Sequence, residues 1–172
     1  MKTKEKISIV IADDHPIFRD GLMARIGTDD LLDVVGQAGT GYEAISLIEK
    51  LKPKVAVLDI DMPGCNGIEV VRSLIEKKIS VEIIILTMYS DEDIFNEVMN
   101  LDVKGFVLKD NAANDLIAAI NSVAEGKHYI TPSISGFLIK RNEKSGLTKN
   151  ILKNITAMEK RVLSLIAENK TS

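Results

Sequence analysis

Short apolar-rich runs recur along the first 125 residues, at Ile7–Ala12, Asp33–Ala38, Val55–Leu58, Glu82–Leu86 and Gly105–Leu108. Each has strand length, and helical patterns of about 10 to 15 residues lie between them, as crossovers between parallel strands require. Nearly continuous apolar runs suit strands buried on both faces of a parallel sheet. Helix starts are signalled by capping boxes at Thr40…Glu43, Asn66…Glu69 and Ser90…Asp93, and by Pro16 at the first helix. The last of these helices, from about Ala112 to Ala124, carries Leu116, Ile117, Ile120 and Val123 on one stripe and stops at Glu125-Gly126. The pattern predicts five strand–helix units over residues 1–126, an α/β doubly wound parallel sheet.

Beyond Gly126 the pattern changes. His128 to Pro132 reads as an extended exit, with a short helix near Ser133–Ile139 and a polar, basic stretch from Lys140 to Lys149. Residues 127–150 are therefore expected to be a linker. In residues 151–172, Thr156…Glu159 is another capping box, opening a helix striped with Val162, Leu163, Leu165 and Ile166. Such a stripe needs a partner to bury it.

Composition narrows the function classes. With 45% hydrophobic and 27% charged residues in 172, the chain has the make-up of a globular protein. One cysteine, Cys65, excludes an internal disulfide and an all-cysteine metal site. No apolar stretch reaches the roughly 18 residues that span a bilayer, and the basic N-terminus lacks a signal-peptide core. A cytoplasmic location without membrane attachment is expected. Residues 1–126 hold 13 Lys/Arg against 22 Asp/Glu, net −9, and residues 127–172 hold 9 against 3, net +6. That split suggests two units with different partners.

Chemistry gathers at the ends of the predicted strands. The first ends in Asp13-Asp14, the third in Asp59, the fourth in Thr87 and the fifth in Lys109. In a parallel sheet these ends share one edge, where open α/β folds bind ligands. Three crowded carboxylates repel unless a cation joins them, and hard oxygen donors of this kind suit Mg²⁺. Asp59 could then attack a phosphoryl group and form an aspartyl phosphate, with Lys109 and Thr87 binding the remaining oxygens.

Ala12-Asp13-Asp14-His15, Leu58-Asp59-Ile60-Asp61-Met62-Pro63-Gly64, Leu86-Thr87 and Gly105-Phe106-Val107-Leu108-Lys109-Asp110 together make the chain resemble a two-component response regulator. The resemblance implies a flavodoxin-like receiver domain. It makes Asp59 the phosphoacceptor, served by a sensor histidine kinase. It implies Mg²⁺ held by Asp13, Asp14 and Asp59, with the backbone carbonyl of Asp61, and a switch formed by Thr87 and Phe106. Ala-Asp-Asp-His-Pro and the Lys-Asp after the fifth strand resemble the NarL/FixJ class, in which a LuxR-type helix-turn-helix follows the receiver. Residues 155–167 are similar to the opening of that DNA-binding domain. The family pattern continues with scaffold and recognition helices beyond Ser172, so promoter DNA binding is expected only of a complete protein. A phosphorylation-dependent homodimer is also implied, with surfaces on the first, fourth and last receiver helices. Many relatives carry Tyr at the position of Phe106; without a hydroxyl, the ring is expected to favour the inward rotamer. Asp61 is an extra carboxylate, read either as tuning phosphoryl hydrolysis or as facing solvent.

Plainer readings stand beside these. His15 reads as a surface histidine beside a helix cap rather than a ligand, and Cys65 as a small space-filler. Asp59-Ile60-Asp61 also resembles the paired aspartates of haloacid-dehalogenase-like phosphatases, but there the motif follows the first strand and a Thr or Val stands where Met62 is. The expectation is no turnover enzyme, only uptake of phosphate from small donors and slow self-dephosphorylation. A receiver used as a phosphate-independent interaction module is the other alternative.

Overall fold

Every expected apolar run forms a strand in the computed structural model, which describes residues 5–145. The elements alternate as β1 (Ile7–Ala12), α1 (Pro16–Ile26), β2 (Leu32–Ala38), α2 (Gly41–Leu51), β3 (Val55–Asp59), α3 (Gly67–Glu76), β4 (Glu82–Thr87), α4 (Glu92–Asn100), β5 (Gly105–Leu108) and α5 (Ala112–Ala124). They continue with β6 (Tyr129–Ile130) and α6 (Ser135–Ser145). All strands are parallel, in the order β2-β1-β3-β4-β5-β6.

The strands of the centre, β3 above all, are buried along their whole length because both sheet faces are covered. On one face Leu22 and Ile26 of α1 pack with Leu116, Ile120 and Val123 of α5. On the other, Ile48 of α2, Val71 and Leu74 of α3, and Phe95 and Val98 of α4 form the second core. Strand order reverses direction between β1 and β3, and that reversal opens the crevice in which such sheets place their ligands.

Three expectations need correction. Residues 127–145 are not a linker: β6 pairs with β5, a 3-10 turn follows at Pro132–Ile134, and α6 runs to Ser145 instead of ending near Ile139. Ile130, Ile134 and Leu138 are buried there, joining the core beside α4. The α4 cap is Asp91, not Ser90; its carboxylate accepts from the N–H groups of Asp93 and Ile94. Asn66 and Glu69 do form a reciprocal box, whereas Glu43 turns its carboxylate to the N–H of Gly39 and leaves Thr40 to cap alone. The expected helix of residues 151–172 lies outside the described residues. No helix among the described residues is long and apolar enough to cross a membrane.

Candidate functional site

The crevice edge is built by chain ends that the sheet register brings level. Ala12 lies opposite Leu58, Asp59 opposite Leu86, and Thr87 opposite Leu108. The residues that follow β1 and β5, Asp13 and Lys109, therefore gather with Asp59 and Thr87 at the ends of four adjacent strands. Asp13, Asp59, Thr87 and Lys109 are all buried, a costly placement for charges unless they pair.

They do pair. Lys109 Nζ lies 2.7 Å from Asp13 Oδ2 and 2.8 Å from Asp59 Oδ2. Burial alone would lower the Lys109 pKa, but its bonds to Asp13 and Asp59 outweigh burial and hold it above the ordinary lysine value. Asp59 is pushed above the ordinary carboxylate value, first by burial and then by the charge of Asp13, with Lys109 opposing both. Phe18 lies under the ammonium, its ring centroid 4.8 Å from Nζ, adding a cation–π contact.

Around this pair the negative charge accumulates. Ligand atoms of Asp13, Asp14, His15 and Asp59 lie within 4.8 Å of one another. Three carboxylates facing one ammonium leave excess negative charge on hard oxygen donors, the donor set that fits a magnesium-like cation. His15 is 65% exposed at its side chain, yet its Nδ1 is 2.8 Å from Asp14 Oδ1 and 3.1 Å from Asp13 Oδ1. It is a surface histidine, as expected, but one turned into the cluster. The backbone N–H of His15 also donates to Asp13 Oδ1, fixing that carboxylate at the start of α1.

The two loops on either side are each tied to a buried site residue. Asp61 N–H donates to Asp59 Oδ1 at 3.3 Å, and Tyr89 N–H donates to Thr87 Oγ1 at 3.0 Å. The Asp61 carboxylate is exposed and meets the Tyr89 hydroxyl; its charge and that hydrogen bond push the Tyr89 pKa up. Phe106 lies deeper, fully buried, edge-on to Phe95 with ring centroids 5.2 Å apart. Cys65 is buried in the loop after Asp59 with its thiol pKa raised by that burial, in keeping with a space-filler.

Two contributors escaped the reading of the sequence. Phe18 reaches Lys109 only through the fold. Gly67 opens α3 so close to β3 that a Cβ there would stand 2.2 Å from the Asp59 carbonyl oxygen; the Asn66-Gly67 pair at the helix start was its only visible signal.

Comparison with known proteins agrees with this geometry. A family model described as the response regulator receiver domain matches residues 9–121. The transcriptional regulatory protein DegU of Brevibacillus brevis is 37% identical over 137 residues, 80% of this chain but 58% of DegU. DesR of Bacillus subtilis, also a transcriptional regulatory protein, is 34% identical over 166 residues, 96% of this chain and 77% of DesR. The RcsB receiver domain of Salmonella enterica serovar Typhimurium, solved with the phosphomimetic BeF3-, superposes with a TM-score of 0.72 at 32% identity, covering 77% of this chain and 99% of that one. RcsB solved as two dimers bound to two parallel DNAs gives 0.73 at 32% identity, over 79% of this chain and 69% of that one. The chain thus spans less than two thirds of DegU.

Proposed function

This chain belongs to the response regulator receiver family, and from that premise we propose that it is a two-component switch that accepts a phosphoryl group on Asp59 to control transcription. The observation that carries the reading is the buried Lys109 ammonium held between Asp13 and Asp59 at the ligand-binding edge of the sheet.

In the proposed reaction an Asp59 oxygen attacks the phosphorus of a phosphohistidine on a sensor kinase. The O–P bond forms, the N–P bond breaks, and the imidazole nitrogen keeps the electron pair. Lys109 turns its charge from the carboxylate toward the phosphoryl oxygens, whose negative charge replaces what Asp59 gives up. The Thr87 hydroxyl accepts from Tyr89 N–H and has its own proton to donate to a phosphoryl oxygen. Asp13, Asp14 and Asp59, with the Asp61 carbonyl, are the residues that would hold Mg²⁺. When bound, the ion would offset the carboxylate charge that otherwise repels the phosphoryl group. Phe106 follows Thr87 in the switch, shifting a two-state equilibrium.

The output follows the relatives. We assign residues 1–126 to the receiver and residues 151–172 to the opening of a LuxR-type helix-turn-helix, with promoter DNA as the partner of that output domain. The RcsB dimers on DNA support a homodimer as the active assembly, and its dependence on phosphorylation is part of the proposal. A kinase partner places the switch in the cytoplasm.

Mass spectrometry of the intact chain after incubation with Mg²⁺ and a small phosphodonor tests the reading. One added phosphoryl group, absent from Asp59→Asn, is expected. Multiple turnovers of a phosphate ester would instead favour a phosphatase, and no adduct and no response to beryllofluoride a phosphate-independent module.

A further inference from the structure

We propose that α6 is the element through which the switch speaks to the rest of the chain: a helix clamped on α4 while Phe106 is packed inward, and released when Phe106 moves. The inference rests on the phosphoryl-switch reading above and adds where its signal goes.

Two independent connections lead from β5 to α6. The first is a column of rings. Phe106 meets Phe95 edge-on at 5.2 Å, and Phe95 meets Phe137 of α6 at 5.8 Å. Phe95 is fully buried between the other two, so a shift of Phe106 cannot leave the Phe95–Phe137 contact unchanged; packed interiors transmit such displacements. The second is a backbone clamp at the root of α6. Thr131 N–H donates to the Phe106 carbonyl and Thr131 Oγ1 accepts from Leu108 N–H, both at 3.0 Å. Thr131 thus grips β5 at the switch residue and next to Lys109, four residues before α6 begins.

Beside Phe137, α6 buries Leu138 in the same core; its remaining contacts with α4 are polar. Lys140 and Lys144 reach the two carboxylate oxygens of Glu92 at 3.2 and 3.9 Å, and Arg141 reaches Asn100 at 2.8 Å. These contacts lie toward solvent and add little individually. The helix is therefore held chiefly by its apolar side, Phe137 and Leu138, and it is that side which Phe95 supports and a shift of Phe106 disturbs. Since α6 is the last described element before residues 146–172, its release changes what the C-terminal segment is attached to. The α4 face it covers is also uncovered at the same moment.

The test is hydrogen exchange on the full chain, with Mg²⁺, before and after adding beryllofluoride. Amides of residues 135–145 are expected to lose protection about tenfold, with no change in Asp59→Asn. In Phe137→Ala the same amides are expected to exchange fast without beryllofluoride, while those of β1 to β4 stay protected. Glu92→Gln is expected to give an intermediate loss. Changed exchange at residues 87–89 and 106–109 with α6 unmoved would overturn this inference and leave the phosphoryl switch intact. No change anywhere would overturn both. Wild-type protection of α6 in Phe137→Ala would overturn the aromatic anchor, and with it the proposal.

Discussion

The Lys109 ammonium stands 2.8 Å from Asp59 Oδ2, and both side chains are buried. Removing one partner of a buried pair strands the other, which costs more than the pair contributes. Lys109→Met leaves Asp13 and Asp59 facing each other with no cation. A loss of about 3 kcal/mol is expected in metal-free urea denaturation, part of it recovered on adding Mg²⁺. Unchanged stability without metal would show that the carboxylates do not depend on Lys109.

Asp59→Asn is expected to act in the opposite direction, because Lys109 keeps its second partner, Asp13 Oδ2 at 2.7 Å, and is not stranded. The folded pKa of Asp59 is raised, by burial first, so its charged form is disfavoured in the fold. That cost is present at neutral pH and disappears as pH falls below the unfolded value of 3.8. The Asn variant should therefore unfold at a higher denaturant concentration than wild type near neutrality, with the gap closing in acid. A gap that widened on acidification would contradict the sign of the shift.

His128 supplies a separate pH dependence, on the far side of the sheet edge from the site. It is buried, and burial lowers its pKa below 6.5, with Lys104 adding to the effect and Asp102 and Glu82 opposing it. The unfolded chain then takes up a proton before the folded one does. Stability is intact above 6.5 and falls as pH drops below it, by at most about 1.4 kcal/mol per pH unit. His128→Phe should flatten that part of the profile; an identical profile in the variant would assign the loss to other groups.

The site was far more legible than its surroundings, for a physical reason. Asp13, Asp14, Asp59, Thr87 and Lys109 each end a strand-length apolar run, and parallel pairing alone brings such ends to one edge. The two residues of β6 are too few to show a period, and they are a strand only because β5 offers an open edge to pair with. Lys140 and Arg141 made α6 look like a polar linker, although its apolar side, Phe137 and Leu138, packs against the α4 side of the core. Phe18 beneath Lys109 is a contact between α1 and the end of β5, which no local pattern encodes. Ser90 and Asp91 are both good caps, and the choice between them depended on where α4 meets the sheet.

Gly67→Ala tests how tightly α3 must approach Asp59. The added Cβ would sit 2.2 Å from the Asp59 carbonyl oxygen, a backbone atom with no rotamer to escape into. A loss of roughly 2 kcal/mol is expected from the overpacking. Phosphoryl uptake should fall further than the folded fraction does, because the strain falls on the backbone carrying the nucleophile. Uptake that tracked the folded fraction would mean that Asp59 keeps its position.

Phe106→Tyr probes the inward packing of the switch ring. Phe106 is fully buried against Phe95, so a hydroxyl placed there must either find a partner or remain unsatisfied, at a cost of about 1–3 kcal/mol. The alternative, swinging the ring outward, gives up that burial and the edge-on contact with Phe95. Either route raises the energy of the inward state relative to the outward one. The variant should be less stable than wild type by about 1 kcal/mol or more, and its aromatic resonances should report a second, solvent-exposed ring environment. Because Phe95 links Phe106 to Phe137, α6 should exchange faster in this variant before any phosphorylation. Wild-type stability together with a single buried ring environment would mean that the pocket already holds a partner for the hydroxyl, and that the missing oxygen of Phe106 does not bias the switch.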